Sequence, residues 1–456
     1  GFDYNPDSYA GPNGAGFNRK RPLEQRVVSW LRTLLVAGRK QNPEFRVQLT
    51  SGFPPEIRAK ILAAAPEGIT GTVYGALSWT GGIEEQWAYH QSRFDVKALD
   101  YRRAAKERLR DFKKRLAAAR VGGRVPPVHA ALPTYEYLHP LRYVPHPFET
   151  ARLMKSLAKL GARKMIAWGA ISSRELLPHD ANLETMKALN ERIEADTEAT
   201  IRGIAERWVG SKHAHALVEA WRESDRGITH RPLWAHWSGG FKQYLPGPLV
   251  PDLTRLKPAE VAYYWQLGHD DMDRIQGVGF FVPHEPDERN RDFVLNRLYA
   301  KETLPSLESA TNRLDDEAKS ASGEAARVLE RQRDHIRLAY LYQRSLRNWF
   351  EAGRHLVPGQ KPGRGRTMPQ IVDDEIQVTR DLIALLDGRA EQLLLLNPLG
   401  DCMMYAHGPG YVTKLKQRIA VMKRHRNDPP RDLSPGLKAL IDYWKEIDDE
   451  SQEAMR

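Results

Sequence analysis

"FRVQLTSGFPPEIRAKILAAAPEGITGTVYGALSW" occupies residues 45–79. It opens on a short β-rich run (45–52), continues as a helical pattern with prolines at its start (54–65), and closes on a second β-rich run (69–79). Prolines are tolerated there because the first N–H groups of a helix have no intrahelical partner. A strand, a helix and a strand in so few residues read as a βαβ unit. Its two strands are expected to run parallel, joined by a right-handed crossover.

The alternation continues on both sides. Downstream come "PPVHAALPTYEY" (126–137) as strand and loop, "PFETARLMKSLAKLG" (147–161) as helix and "ARKMIAWGAI" (162–171) as strand, then a helical stretch over 184–210. Upstream, Leu23, Val27, Trp30, Leu31, Leu34 and Leu35 recur at helical spacing before Gly38. "GFDY" (1–4) reads as the end of a strand running into a Gly/Pro/Asn-rich loop. Alternating strands and helices predict an α/β fold with a parallel sheet. No phosphate-binding fingerprint such as GxGxxG or GxxxxGK[ST] follows a strand, which disfavours nucleotide-binding folds. Acids and aromatics follow the strands instead, as at the catalytic end of a (β/α)8 TIM barrel. The expectation is therefore an incomplete barrel, strands four to eight, with three βα units preceding Gly1. Residues 1–210 would be the C-terminal part of that catalytic barrel, and 211–456 an all-α C-terminal domain. Helices are expected near 258–275, 291–313, 320–356, 369–390 and 411–424, with a basic linker at 359–369.

Bulk composition narrows the chemistry. At 456 residues and 41% hydrophobic, the chain can bury a sizeable core, and it lacks an apolar run of the roughly 18 residues that a membrane span needs. One cysteine, Cys402, rules out an internal disulfide framework. The formal charge of +11 suits an acidic partner, and eleven tryptophans offer faces for stacking sugar rings.

Glycoside hydrolysis takes two carboxyl groups, one protonating the leaving oxygen and one acting as nucleophile or base. Asp3 ends the first visible strand, and Glu136 lies between Tyr135 and Tyr137, where apolar walls would raise its pKa. Glu84 or Glu85, in "SWTGGIEEQWAYH" (78–90), is the alternative partner acid. Trp168, Trp79, Tyr135 and Tyr4 are the candidate sugar-binding aromatics. Arg142 and His139 are the candidate grips for an acidic sugar, since a guanidinium fork matches a carboxylate or sulfate. Each has a structural alternative: an Asx-turn acid for Asp3, a loop acid for Glu136, a core tryptophan for Trp168, a solvated arginine for Arg142. No metal set converges, and no cofactor is expected.

Three stretches carry a family resemblance: "AERWVGSKHAHALVEAWRESDRG" (205–227), "IVDDEIQVTRDLIALLDG" (371–388) and "YVTKLKQRIAVMKRHRND" (411–428). The first resembles the Gly-turn-helix element after the barrel of polysaccharide-degrading enzymes in the α-glucuronidase and family 20-like glycoside hydrolase group. The others are similar to later helices of that group. The resemblance covers mostly 160–430, rests on structural motifs and transfers no catalytic residue. It implies a glycosidase-type barrel followed by a helical domain, secreted or periplasmic. The combined expectation is a glycoside hydrolase acting on a polysaccharide with uronic or sulfated sugars, with no nucleic-acid partner. The alternative is a non-catalytic carbohydrate-binding or scaffolding protein.

Overall fold

A computed structural model describes residues 22–49, 55–71, 73–74, 128–130, 141–159, 165–167, 177–229, 248–257, 260, 293–356, 365–396 and 408–431. The chain divides into two compact units. One comprises Gly1–Ser78, Ala105–Leu132 and Leu153–Trp168, and the other Trp79–Ala104, Pro133–Arg152 and Gly169–Arg456.

In the smaller unit, helix α1 (Leu23–Gln41) has Glu24 in its first turn and Arg39 and Lys40 in its last, each charge opposing the helix dipole. Its apolar face buries Val27, Val28, Leu31 and Leu35; the first three form a cluster with Ile61 of α2 (Pro55–Ala64). Leu31 and Ile61 are almost fully buried, and each such side chain contributes about 1.5–3 kcal/mol. Two strands, β1 (Val47–Leu49) and β2 (Ile69–Gly71), pair in parallel, Val47 facing Ile69. Separately, β3 (Val73–Tyr74), β4 (Val128–Ala130) and β5 (Met165–Ala167) form a small parallel sheet in the order β3-β4-β5.

These pieces overturn the barrel. The described residues are mostly helical, and their strands are two or three residues long in two separate patches. An α/β assignment as strands four to eight of a (β/α)8 TIM barrel is not what this chain forms; the described residues point to an all-α class. The physical reason is that apolar positions recur at helical spacing in the described residues and bury one helix face, as Val27, Leu31 and Leu35 or Leu307 and Leu314 do.

The larger unit is a helical assembly. It contains α3 (Pro147–Lys159) up to Arg152, α4 (Ala181–Glu191), and the long α5 (Thr197–Thr229). A π-helical stretch, Phe293–Thr303, runs into α6 (Leu304–Ser320), followed by α7 (Gly323–Leu356), α8 (Met368–Leu386), the short α9 (Ala390–Leu393) and α10 (Tyr411–His425). The helices near 291–313, 320–356, 369–390 and 411–424 thus form close to where apolar spacing places them.

Helix α6 packs along α5 and α7, α7 against α8, and α8 against α10. Leu217 and Trp221 of α5, Leu307 and Leu314 of α6, Leu329 and Ile336 of α7, Val378 and Leu382 of α8 and Leu415 of α10 are fully buried. Gly227 lets α5 and α6 approach closely: a Cβ there would lie 2.6 Å from the Leu307 side chain. At Gly210 (φ 76°, ψ 161°) α5 is broken into two helices, in a backbone conformation essentially restricted to glycine. Among the described residues, no helix is long and apolar enough to cross a membrane.

Candidate functional site

The Gly210 break leaves Trp208 in the last turn of the first half of α5, half-buried rather than sealed in the core. Its ring is edge-to-face with Trp221 (centroids 5.4 Å apart) and with His179 (5.1 Å). His179 immediately precedes Asp180, which caps α4 by accepting the Leu183 N–H at 2.9 Å. Its backbone is left-handed (φ 63°), the sole non-glycine case among the described residues, so its ring is set by a turn that few side chains adopt.

That turn is locked from below. Gln332 of α7, fully buried, donates its Nε2–H to the His179 carbonyl at 2.8 Å. Its Oε1 accepts from the Tyr143 hydroxyl (3.1 Å) and the Trp221 indole N–H (3.0 Å), while the Tyr143 oxygen accepts the Ala181 N–H (3.0 Å). One amide therefore fixes both the left-handed turn and the buried tryptophan on which Trp208 rests.

One residue before Gln332, Arg331 places Nη1 3.1 Å from His179 Nδ1. A guanidinium only donates, so Nδ1 is the acceptor and the ring proton sits on Nε2, a tautomer assigned from the hydrogen-bond pattern. Burial lowers the His179 pKa below its ordinary 6.5, and the Arg331 charge lowers it further; Glu324 and Glu184 act in the opposite sense. Those two acids are already engaged, Glu324 with Arg327 (2.8 Å) and Glu184 with Lys187 (2.9 Å). The result is a neutral imidazole, an indole and a guanidinium sharing one half-buried rim. Such a set can hold an anion and an apolar ring face. It contains no nucleophile and no paired carboxylates.

Several other polar groups of this unit form structural networks. Arg418 and Glu375, both fully buried, form an ion pair at 2.5 Å, with Ser345 and Asn348 donating to Glu375 and Arg418 donating to Thr379. Next to it Arg366 bonds Glu351, Asn348 and Asp374, and Arg344 bonds Asp374. Burial pushes Glu351 up, but hydrogen bonds and charge from Arg366 outweigh it, so its carboxyl lies below the usual value. Asp225 accepts the Phe148 and Glu149 N–H groups at the start of α3 (2.9 and 3.1 Å); burial, then the Glu149 charge, pushes its pKa well up. His335 is fully buried with its ring edge-on to Tyr143. Burial, then Arg142, Arg331 and Arg389, hold it down to about 3. His425 ties the end of α10 to Glu260 (3.1 Å) and Asp428 (2.8 Å). Among the described residues no group of three His, Cys, Asp or Glu side chains could hold a metal ion.

The candidate acids Asp3, Glu84, Glu85 and Glu136 lie outside the described residues, as do Tyr4, Trp79, Tyr135, His139 and Trp168. The strand-tip argument that brought those acids to one face falls with the barrel. Arg142 is described: its Nη1 donates to the Glu391 carbonyl at 2.6 Å and its N–H to Leu393 O at 3.0 Å. It ties α9 beside the Leu141–Leu394 bridge. Sequence reasoning missed the rim of His179, Trp208 and Arg331. Trp208 and Gly210 stand together in the quoted 205–227 stretch, and a tryptophan two residues before a helix-breaking glycine was the usable signal.

The Gly-turn-helix of 205–227 exists, but the glycosidase-barrel resemblance drawn from it is corrected by the helical character of the described residues, and the hydrolase and glycosidase assignments lose their support with it. No family model, curated protein or solved structure matches the chain.

Proposed function

We propose that this protein binds a carbohydrate bearing uronic or sulfated sugars, and that the rim of His179, Trp208 and Arg331 takes the acidic residue of that chain. The observation that carries this reading is the Arg331 guanidinium held 3.1 Å from a neutral His179, beside a half-buried indole. That bond uses one of five guanidinium N–H donors, leaving a fork for a carboxylate or sulfate. The indole supplies apolar area for a sugar ring. The net charge of +11 favours an acidic ligand. Nucleic acid fits less well, because many described arginines are paired with acids: Arg222 with Glu198 and Glu219, Arg226 with Glu302, Arg313 with Glu223. A surface that tracks a phosphate backbone keeps such charges available. Because acidic polysaccharides of this kind are extracellular polymers, the reading includes a secreted or periplasmic location.

Calorimetry with tetragalacturonate, a heparin-derived tetrasaccharide, maltotetraose and a single-stranded oligonucleotide tests it. The two acidic oligosaccharides should bind, more weakly as salt rises, with maltotetraose weaker by at least about tenfold. Arg331→Ala should cost about tenfold in affinity for the acidic ligands, the scale of one charged hydrogen bond, and reduce the salt dependence. Equal binding of neutral and acidic sugars, or preference for the oligonucleotide, would sink the proposal.

A further inference from the structure

Resting on that reading, we propose that the acidic sugar is taken up together with one proton, which moves from solvent onto Nδ1 of His179. Nδ1 faces the very cation that would grip the ligand, at 3.1 Å, and serves there as an acceptor. While the site is empty, protonating Nδ1 would remove the Arg331 bond and set two cations side by side. An anion on the Arg331 fork reverses both terms. It neutralises the guanidinium and offers the imidazolium an opposite charge, and an opposite charge within a few ångströms favours the charged form of a histidine.

The groups facing the ring support the coupling. From α7 come Arg331 and Glu324, from α4 Glu184, and from α5 the uncharged Trp208. Glu324 is held by Arg327, and Glu184 by Lys187 and Arg207. The local acids are thus matched by local cations, and an incoming carboxylate or sulfate is the first negative charge without a partner. In the empty protein His179 already lies below its ordinary value, because of burial and then Arg331, so near neutral pH it is uncharged and free to take the proton. By linkage, binding strengthens as pH falls through the range between the His179 pKa of the empty and of the filled site, and levels off below the former.

Titrating tetragalacturonate into the full chain near neutral pH, in buffers of contrasting ionisation enthalpy, reads the proton directly. The expected result is an observed enthalpy that varies with buffer, corresponding to uptake of up to one proton per bound ligand. His179→Asn, chosen because asparagine tolerates a left-handed backbone, should bind more weakly, since the imidazolium facing the anion is lost, and without the buffer dependence. NMR titration of the His179 ring in the unaltered chain, with and without ligand, supplies a readout independent of any variant: its pKa should rise on binding. Binding with no buffer dependence and an unmoved His179 titration overturns proton coupling and leaves the carbohydrate reading standing. Absence of binding by either acidic oligosaccharide overturns both.

Discussion

Arg418, enclosed between α7, α8 and α10, and Arg331, on an early turn of α7, meet opposite surroundings. Arg418 is fully buried against Glu375, Thr379 and Ser345, so its charge is answered by the fold. Arg331 is half-buried and its described bond is to a neutral imidazole, so its charge is left for something else. A desolvated charge must be satisfied when the protein folds, because leaving it unpaired costs several kcal/mol. A charge at a rim can wait for a ligand. The difference separates a group that specifies packing from one that can recognise a partner.

The largest expected effect breaks the closed side. Arg418→Ala leaves Glu375 buried without its counter-ion and should destabilise the larger unit by about 3–5 kcal/mol, measured by chemical denaturation. Replacing both members, Arg418→Met with Glu375→Leu, should recover most of that loss. A mild Arg418→Ala would mean that water reaches the pair.

Acid offers the second test. His335 is neutral in the fold down to about 3, against an ordinary 6.5. Between those values the unfolded chain binds a proton that the folded chain refuses, so stability falls as pH drops. The slope contributed by this group is at most about 1.4 kcal/mol per pH unit. His335→Met should flatten that part of the profile, and an unchanged slope would assign the acid sensitivity elsewhere.

Gln332 stands between the two regimes. Gln332→Ala strips an acceptor from Tyr143 and Trp221 and a donor from the His179 carbonyl, and should cost about 1–3 kcal/mol. It should also weaken oligosaccharide binding without touching the ligand, since the left-handed turn loses its anchor. Smallest of all, Arg331→Ala should change stability by less than about 0.5 kcal/mol, as surface substitutions usually do. It should raise the His179 pKa part of the way toward 6.5, because burial, the larger cause of its depression, remains. A large stability loss here would place Arg331 with Arg418 and erase the contrast.

What the sequence disclosed follows the same line. Helix positions such as Leu23, Val27, Leu31 and Leu35, or Ile371, Val372 and Leu382, were legible because apolar spacing is a local property. The barrel was not, because strand length and closure depend on partners that no short run specifies. Val47–Leu49 and Met165–Ala167 are β-prone, yet no local run names its pairing partner: Val47 faces Ile69 and Met165 faces Val128. The candidate acids inherited their geometry from the barrel and lost it with the barrel. The rim was illegible for another reason: His179 and Arg331 are 152 positions apart, and nothing local marks them as neighbours.

The turn between α6 and α7 carries a consequence in time. Ala321 and Ser322 alone separate these two long helices, and Gly323, at φ 61°, turns the chain back. Closing so short a loop takes little entropy, and helical hairpins with local contacts assemble fast. The rim depends instead on joining segments more than a hundred residues apart, through Trp221 to Gln332 and His179 to Arg331. In a refolding chain the hairpin can form without waiting for a distant partner, while recognition of an acidic sugar comes only when the distant segments have met. Ligand capture would then trail the return of helical signal, and the lag between them would clock the final stage of assembly.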